Sequence, residues 1–155
     1  MSGFFIMVML VYQYNSNYMR ISYNWLQSYF KDSLPKPAEL AELLTMHSFE
    51  IEGVSEHDGD SVFEMKTLAN RAHDCLGHVG VAKDISLLLN IPLERNPFLL
   101  SNNTWSPSEK VTVQVDDIKL CPRYMGLIVE NIAVGPSPEW LQKRLAALGQ
   151  KSINN

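Results

Sequence analysis

The sequence has only two cysteines, Cys75 and Cys121, and they lie far apart. That fits a reduced cytosolic protein better than a disulfide-stapled secreted one. Positive charge is in deficit, with 13 Lys and Arg against 17 Asp and Glu and a formal net charge of −4. No basic field exists to drive non-specific nucleic-acid binding, so any RNA contact has to be local. There is no Gly-rich phosphate loop, no ATP-binding signature, no paired-carboxylate arrangement and no internal repeat. The apolar run at residues 4–12 is too short to span a bilayer and lacks a basic n-region and a small-residue cleavage site. Residues 1–18 are therefore expected to be an upstream extension that is not native, with Met19 as a second possible start and an interfacial anchor as the alternative.

What is present is 155 residues with 46% apolar side chains, enough for one ordinary domain or a small domain and the start of another. Ser22 suits the N-cap of a short amphipathic helix in which Leu26, Tyr29 and Phe30 recur at helical spacing. Pro37 and Glu39 open a second helix whose buried stripe is Leu40, Leu43, Leu44 and His47 and which ends near Ser48. Phe49, Ile51 and Val54 alternate with polar residues as a half-buried strand, and the Asp58-Gly59-Asp60 cluster turns the chain into a second strand at residues 62–67. A third helix is expected from Asp74 through Val79, Ala82, Ile85, Leu88 and Leu89 to Asn90. Residues 91–109 read as a surface linker, residues 111–115 as a strand, and residues 123–134 as a further β-rich run. Ser137-Pro138-Glu139 caps a last helix with Leu141, Leu145 and Leu148 on one face and Gly149 as its stop. The order is that of an α+β module followed by the opening of a second, and the chain is expected to be a fragment.

The densest polar cluster, Asn70-Arg71-Ala72-His73-Asp74-Cys75-Leu76-Gly77-His78, lies between a strand and a helix. His73, Cys75 and His78 are all competent zinc ligands, but no second Cys/His pair follows at finger spacing, so no metal site is assigned. A Cys75–His nucleophile lacks an orienting third group and an oxyanion device, leaving Cys75 as a small buried thiol. Two readings stay open for Asn70 and Arg71. The pair contacts a phosphate backbone or partner subunit beside a helix N-terminus, or Arg71 is a loop arginine bonding local carbonyls. Cys121, the pair Asp116-Asp117 and the face Glu139, Gln142, Lys143 and Arg144 read as ordinary solvated or turn positions.

The order of motifs carries more than any one of them. Met19-Arg20-Ile21-Ser22-Tyr23-Asn24-Trp25-Leu26, Leu40 to Met46, Phe49 to Val54, Asn70-Arg71, Asp74-Cys75-Leu76 and Gly80-Val81-Ala82 stand in one collinear series. Cys121-Pro122-Arg123-Tyr124, Gly135 to Leu141 and Ser152-Ile153-Asn154-Asn155 complete it. The series resembles the N-terminal part of bacterial phenylalanine–tRNA ligase beta subunits, over residues 19–155. The resemblance implies a small helix-rich B1-like domain with a short antiparallel sheet at 19–95, a linker at 96–110, and the truncated start of a B3/B4-like α/β domain at 111–155. The tRNA-binding oligonucleotide-fold barrel that many members insert before the Asn-Arg loop is absent here. It further implies a cytoplasmic α2β2 assembly with the alpha subunit, tRNA(Phe) as partner, no membrane, and ATP and magnesium as cofactors of the whole enzyme only. No catalytic, cofactor or metal residue is assigned to this stretch, which alone is expected to be inactive. Asn70, Arg71 and His73 are the candidate tRNA or subunit contacts. The alternative is a stand-alone RNA-binding or protein-interaction module with the same residues.

Overall fold

In a computed structural model of the chain, the described residues are 18–94, 109–126 and 128–154. Almost all of the upstream extension expected at 1–18, and residues 96–108 of the expected linker, lie outside them. The first described stretch forms an antiparallel sheet of three strands in the order β1-β3-β2, with β1 at Met19–Ser22, β2 at Glu50–His57 and β3 at Asp60–Lys66. The four residues of β1 are too few to show a periodicity and were not foreseen. Pairing reveals them: Ile21 lies opposite Phe63 and Met19 opposite Met65, while Arg20 faces away and meets Glu64 at 3.9 Å.

The β2–β3 hairpin turns on Asp58 and Gly59, whose φ values of 48° and 79° are both positive. A two-residue loop of that hand matches the right-handed twist of the strands it joins, and Asp-Gly is a sequence that tolerates it. Glu52 is an extra residue between the pairs Ile51–Met65 and Gly53–Glu64, a bulge that bends β2.

Three helices cover one face of this sheet: α1 at Tyr23–Gln27, α2 at Pro37–His47 and α4 at His78–Leu89, the last preceded by the single turn α3 at Ala72–Cys75. Their apolar stripes meet the strands in one cluster that includes Ile21, Leu26, Leu40, Leu44, Phe63, Met65, Val81 and Ile85. Each such side chain removed from water contributes roughly 1.5–3 kcal/mol, which makes this cluster the main source of stability in the module. Pro37 opens α2 at its first turn, as expected, and its buried positions are Leu40, Ala41 and Leu44. His47, expected on that stripe, is exposed, because α2 ends at it and the chain turns away into β2.

Three further expectations need correction. The helix expected to begin at Asp74 is two pieces, broken at Leu76 and Gly77, with Gly77 rather than Asp74 as the N-cap of α4. The described residues of 111–115 and 123–134 form no strand, since an alternating pattern becomes a strand only when paired in a ladder with a neighbouring strand. Helix α5 forms at Glu139–Ala147, but Ser137 does not cap it; its buried Oγ has no partner among the described residues, and Pro138 takes the N-cap position. The mixed helical and antiparallel character of the expected α+β class is present.

The break between α3 and α4 depends on Gly80. A Cβ at this position would lie 1.8 Å from the Asp74 carbonyl oxygen and 2.9 Å from the Cys75 Cα, both backbone atoms that cannot swing aside. Alanine's helix preference over glycine is worth only ~1 kcal/mol, whereas overpacking against fixed atoms costs ~1–3 kcal/mol or more. Gly80→Ala is therefore expected to destabilise the protein by about 2 kcal/mol or more in urea denaturation. A midpoint equal to or above the wild type would show that α3 and α4 do not approach so closely.

Candidate functional site

After β3 the chain enters a 3-10 turn, Ala69–Arg71, and then α3, so the Asn70–His78 cluster wraps the start of α4. Arg71 is the hub of this corner. Its Nε donates to Asp74 Oδ1 and Oδ2 at 3.2 and 3.1 Å, and its Nη2 donates to Asp74 Oδ2 and Asp84 Oδ1, both at 3.0 Å. Nη2 also lies 2.9 Å from Cys75 Sγ, and the guanidinium sits over the Phe49 ring at 5.3 Å. Hydrogen bonds to Asp74 and then Asp84 hold the Arg71 pKa above its already high ordinary value, and the Arg71 bond holds the Asp74 carboxyl below its ordinary range. The planar fork thus binds α3 to α4 and to the start of β2, which a lysine would not do.

Beside this corner lies a cleft of about 540 Å3 lined by Trp25, Tyr29, His73, Asp74, His78 and Lys83, among others. The start of α4 borders it, and Gly77 offers no side chain to cap the first amides of that helix. Asn70 and His73 are exposed here, while Arg71 is half-buried. The structure therefore brings His73 and Arg71 to one corner but turns Arg71 toward Asp74 and Asp84. Asp84, Trp25, Tyr29 and Lys83 were not expected at this site. Lys83 and Asp84 share a helical face with Gly80, a polar stripe on an otherwise apolar helix, which was the available signal.

His78 is part of the packing. It is buried, stacks on Trp25 with ring centroids 4.1 Å apart, and its Nε2 accepts the Ser22 amide at 3.0 Å. That bond requires an unprotonated Nε2, and burial first and the Arg144 charge second push its pKa down from 6.5 to about 4. Cys75 is fully buried, and burial pushes its thiol up to about 11. Among the described residues no group of three His, Cys, Asp or Glu side chains is placed to hold a metal ion. No described helix is long and apolar enough to cross a membrane.

Two outcomes are expected. In the unfolded chain His78 titrates near 6.5 and in the folded chain near 4, so the unfolded state binds more protons between these values. The His78 contribution is complete above pH 6.5 and is lost as pH falls toward 4, by about 3 kcal/mol in all. Urea midpoints from pH 7.5 to 4 should therefore fall more steeply for the wild type than for His78→Gln; parallel slopes would contradict the buried neutral imidazole. Separately, iodoacetamide at pH 8 should modify Cys121 in the folded protein and spare Cys75 until denaturant is added, as read by peptide mass spectrometry.

Residues 120–155 match the family model of the B3/4 domain. Over 137 residues, 88% of this chain and 20% of the relative, the sequence is 34% identical to the phenylalanine–tRNA ligase beta subunit of Rhodopirellula baltica. The beta subunits of Bdellovibrio bacteriovorus and Synechococcus sp. strain JA-3-3Ab are 43% and 41% identical over 96 residues, 62% of this chain and 12% and 11% of those proteins. The chain spans a fifth or less of the length of these relatives. No solved structure matches it. Through these matches the chain is a homologue of phenylalanine–tRNA ligase beta subunits, with a B3/4 domain match at residues 120–155.

Proposed function

We propose that this chain is the N-terminal part of a phenylalanine–tRNA ligase beta subunit, supporting tRNA(Phe) aminoacylation and assembly with the alpha subunit in a cytoplasmic α2β2 enzyme. The observation that carries the reading is the similarity along 137 residues to a protein of that name. In this reading residues 19–95 are a B1-like module without the oligonucleotide-fold insertion, residues 96–110 a linker, and residues 111–155 the opening of the B3/B4-like domain. ATP and magnesium belong to the whole enzyme. The described residues offer no cluster that fits a metal ion, so none of their chemistry is routed through one. Their contribution is positional.

Within the module, Asn70, Arg71 and His73 are the proposed contact for tRNA or a neighbouring subunit. Arg71 acts through the corner it builds, since its Nε and Nη2 are engaged by Asp74 and Asp84. The exposed His73 lines the cleft beside the first amides of α4, where the helix dipole favours an anion such as a phosphate, and Asn70 is exposed on the turn before α3.

Three measurements test this. Peptide mapping of phenylalanine–tRNA ligase purified from the source cells should recover residues 19–154; their absence would favour a stand-alone module. In the full enzyme, deletion of residues 19–94 should lower the kcat/KM of tRNA charging while leaving phenylalanine-dependent ATP–pyrophosphate exchange in place, and loss of exchange in an intact assembly would sink the reading. Arg71→Ala in the full enzyme should lower thermal stability with unchanged tRNA affinity per folded molecule. A weakened affinity whose salt slope drops by about one would instead make Arg71 a direct phosphate contact.

A further inference from the structure

Arg144 is bound differently from Arg71. Its guanidinium carbon lies 4.7 Å from the Trp25 ring centroid and 5.4 Å from that of Trp140, and its Nη2 donates to Ser28 Oγ at 3.3 Å across 116 positions of sequence. Ser28 is free to accept because its own hydroxyl proton goes to the Trp25 carbonyl at 2.7 Å. Trp25 in turn stacks on His78, so a residue of α5 completes a cluster whose other end is in the core module. Among the described residues no carboxylate lies within ion-pair distance of Arg144, although Asp58 and Asp60 line the same shallow cleft.

We propose that Arg144 is the clasp that docks the B3/4-matching segment onto the N-terminal module, by inserting its guanidinium between Trp25 of α1 and Trp140 of α5. Three observations support a clasp rather than an incidental surface contact. Among the described residues of 109–154 only Ser137 and Ala147 are buried, so this segment has little described core of its own to fix its position. Ile118, Leu120, Met125, Val134 and Ile153 are all exposed. The geometry also suits arginine specifically, since a flat, weakly hydrated cation gains from an aromatic face where a compact ammonium stays hydrated. Finally, Trp140 is 59% exposed and hence available to close over the guanidinium without being needed for folding.

Hydrogen–deuterium exchange of the full chain, resolved by peptide, tests the clasp with Arg144→Ala, Arg144→Lys and Trp140→Ala. Exchange across Glu139–Ala147 should quicken about fivefold in Arg144→Ala, the factor that the loss of a typical cation–π contact implies. Arg144→Lys should behave as the alanine variant does, and Trp140→Ala should give a smaller increase. Exchange in β3 and α4 should stay at the wild-type rate in all three. Unchanged exchange of α5 in Arg144→Ala, full rescue by lysine, or loss of protection throughout β3 would each overturn the proposal. The first outcome would make the contact idle, the second would make charge sufficient, and the third would make Arg144 a folding determinant and not a tether.

Discussion

Ser22 is the point at which the parts of the N-terminal module meet, through two groups that are both buried. It closes β1 opposite Val62, and its amide donates to His78 Nε2 on α4. Its hydroxyl accepts the Trp25 amide at 3.0 Å, capping α1, and donates to Asp60 Oδ2 at 2.5 Å at the hairpin. Asp60 extends the junction by accepting the Asn24 amide through its other oxygen at 2.9 Å. A buried amide or hydroxyl left without a partner costs ~1–3 kcal/mol, so four elements are held in one arrangement by the need to satisfy a single residue.

That junction fixes where the exposed chemistry sits. With α4 anchored at His78, its first turn is drawn against α3, and only glycine at position 80 allows the two backbones to approach. Arg71 then fills the corner and bridges Asp74 to Asp84, leaving Asn70 and His73 outward. The candidate contact surface is therefore a consequence of packing inside the module. The same His78 carries Trp25 on its ring, which makes the platform on which Arg144 rests.

The two arginines show how one side chain serves two ends. Arg71 is surrounded by carboxylates and acts as a bidentate cross-link within the module. Arg144 has aromatic faces and a hydroxyl instead, an attachment that depends on shape and is weakened little by salt. The local sequence holds one partner of each, Asp74 three residues after Arg71 and Trp140 four before Arg144, but it does not name Asp84 or Trp25.

Local rules were enough for α2, with its proline start and leucine stripe, for the Asp58-Gly59 hairpin, for the Ser22 cap and for the end of α4 at Asn90, whose φ of 52° is the left-handed helix stop that asparagine tolerates. These features are decided within a few residues, by backbone sterics and by the nearest hydrogen-bonding side chain. The ordered motifs also carried the relationship to phenylalanine–tRNA ligase beta subunits without any structure. Tertiary structure alone decided the rest: that four residues at Met19–Ser22 are a strand, that the third helix breaks at Gly77, that residues 111–115 stay unpaired among the described residues, and that Arg71 and Arg144 reach Asp84 and Trp25. The strand and the reach of the two arginines depend on partners further along the chain, and a residue's own neighbours do not specify which such group will satisfy it.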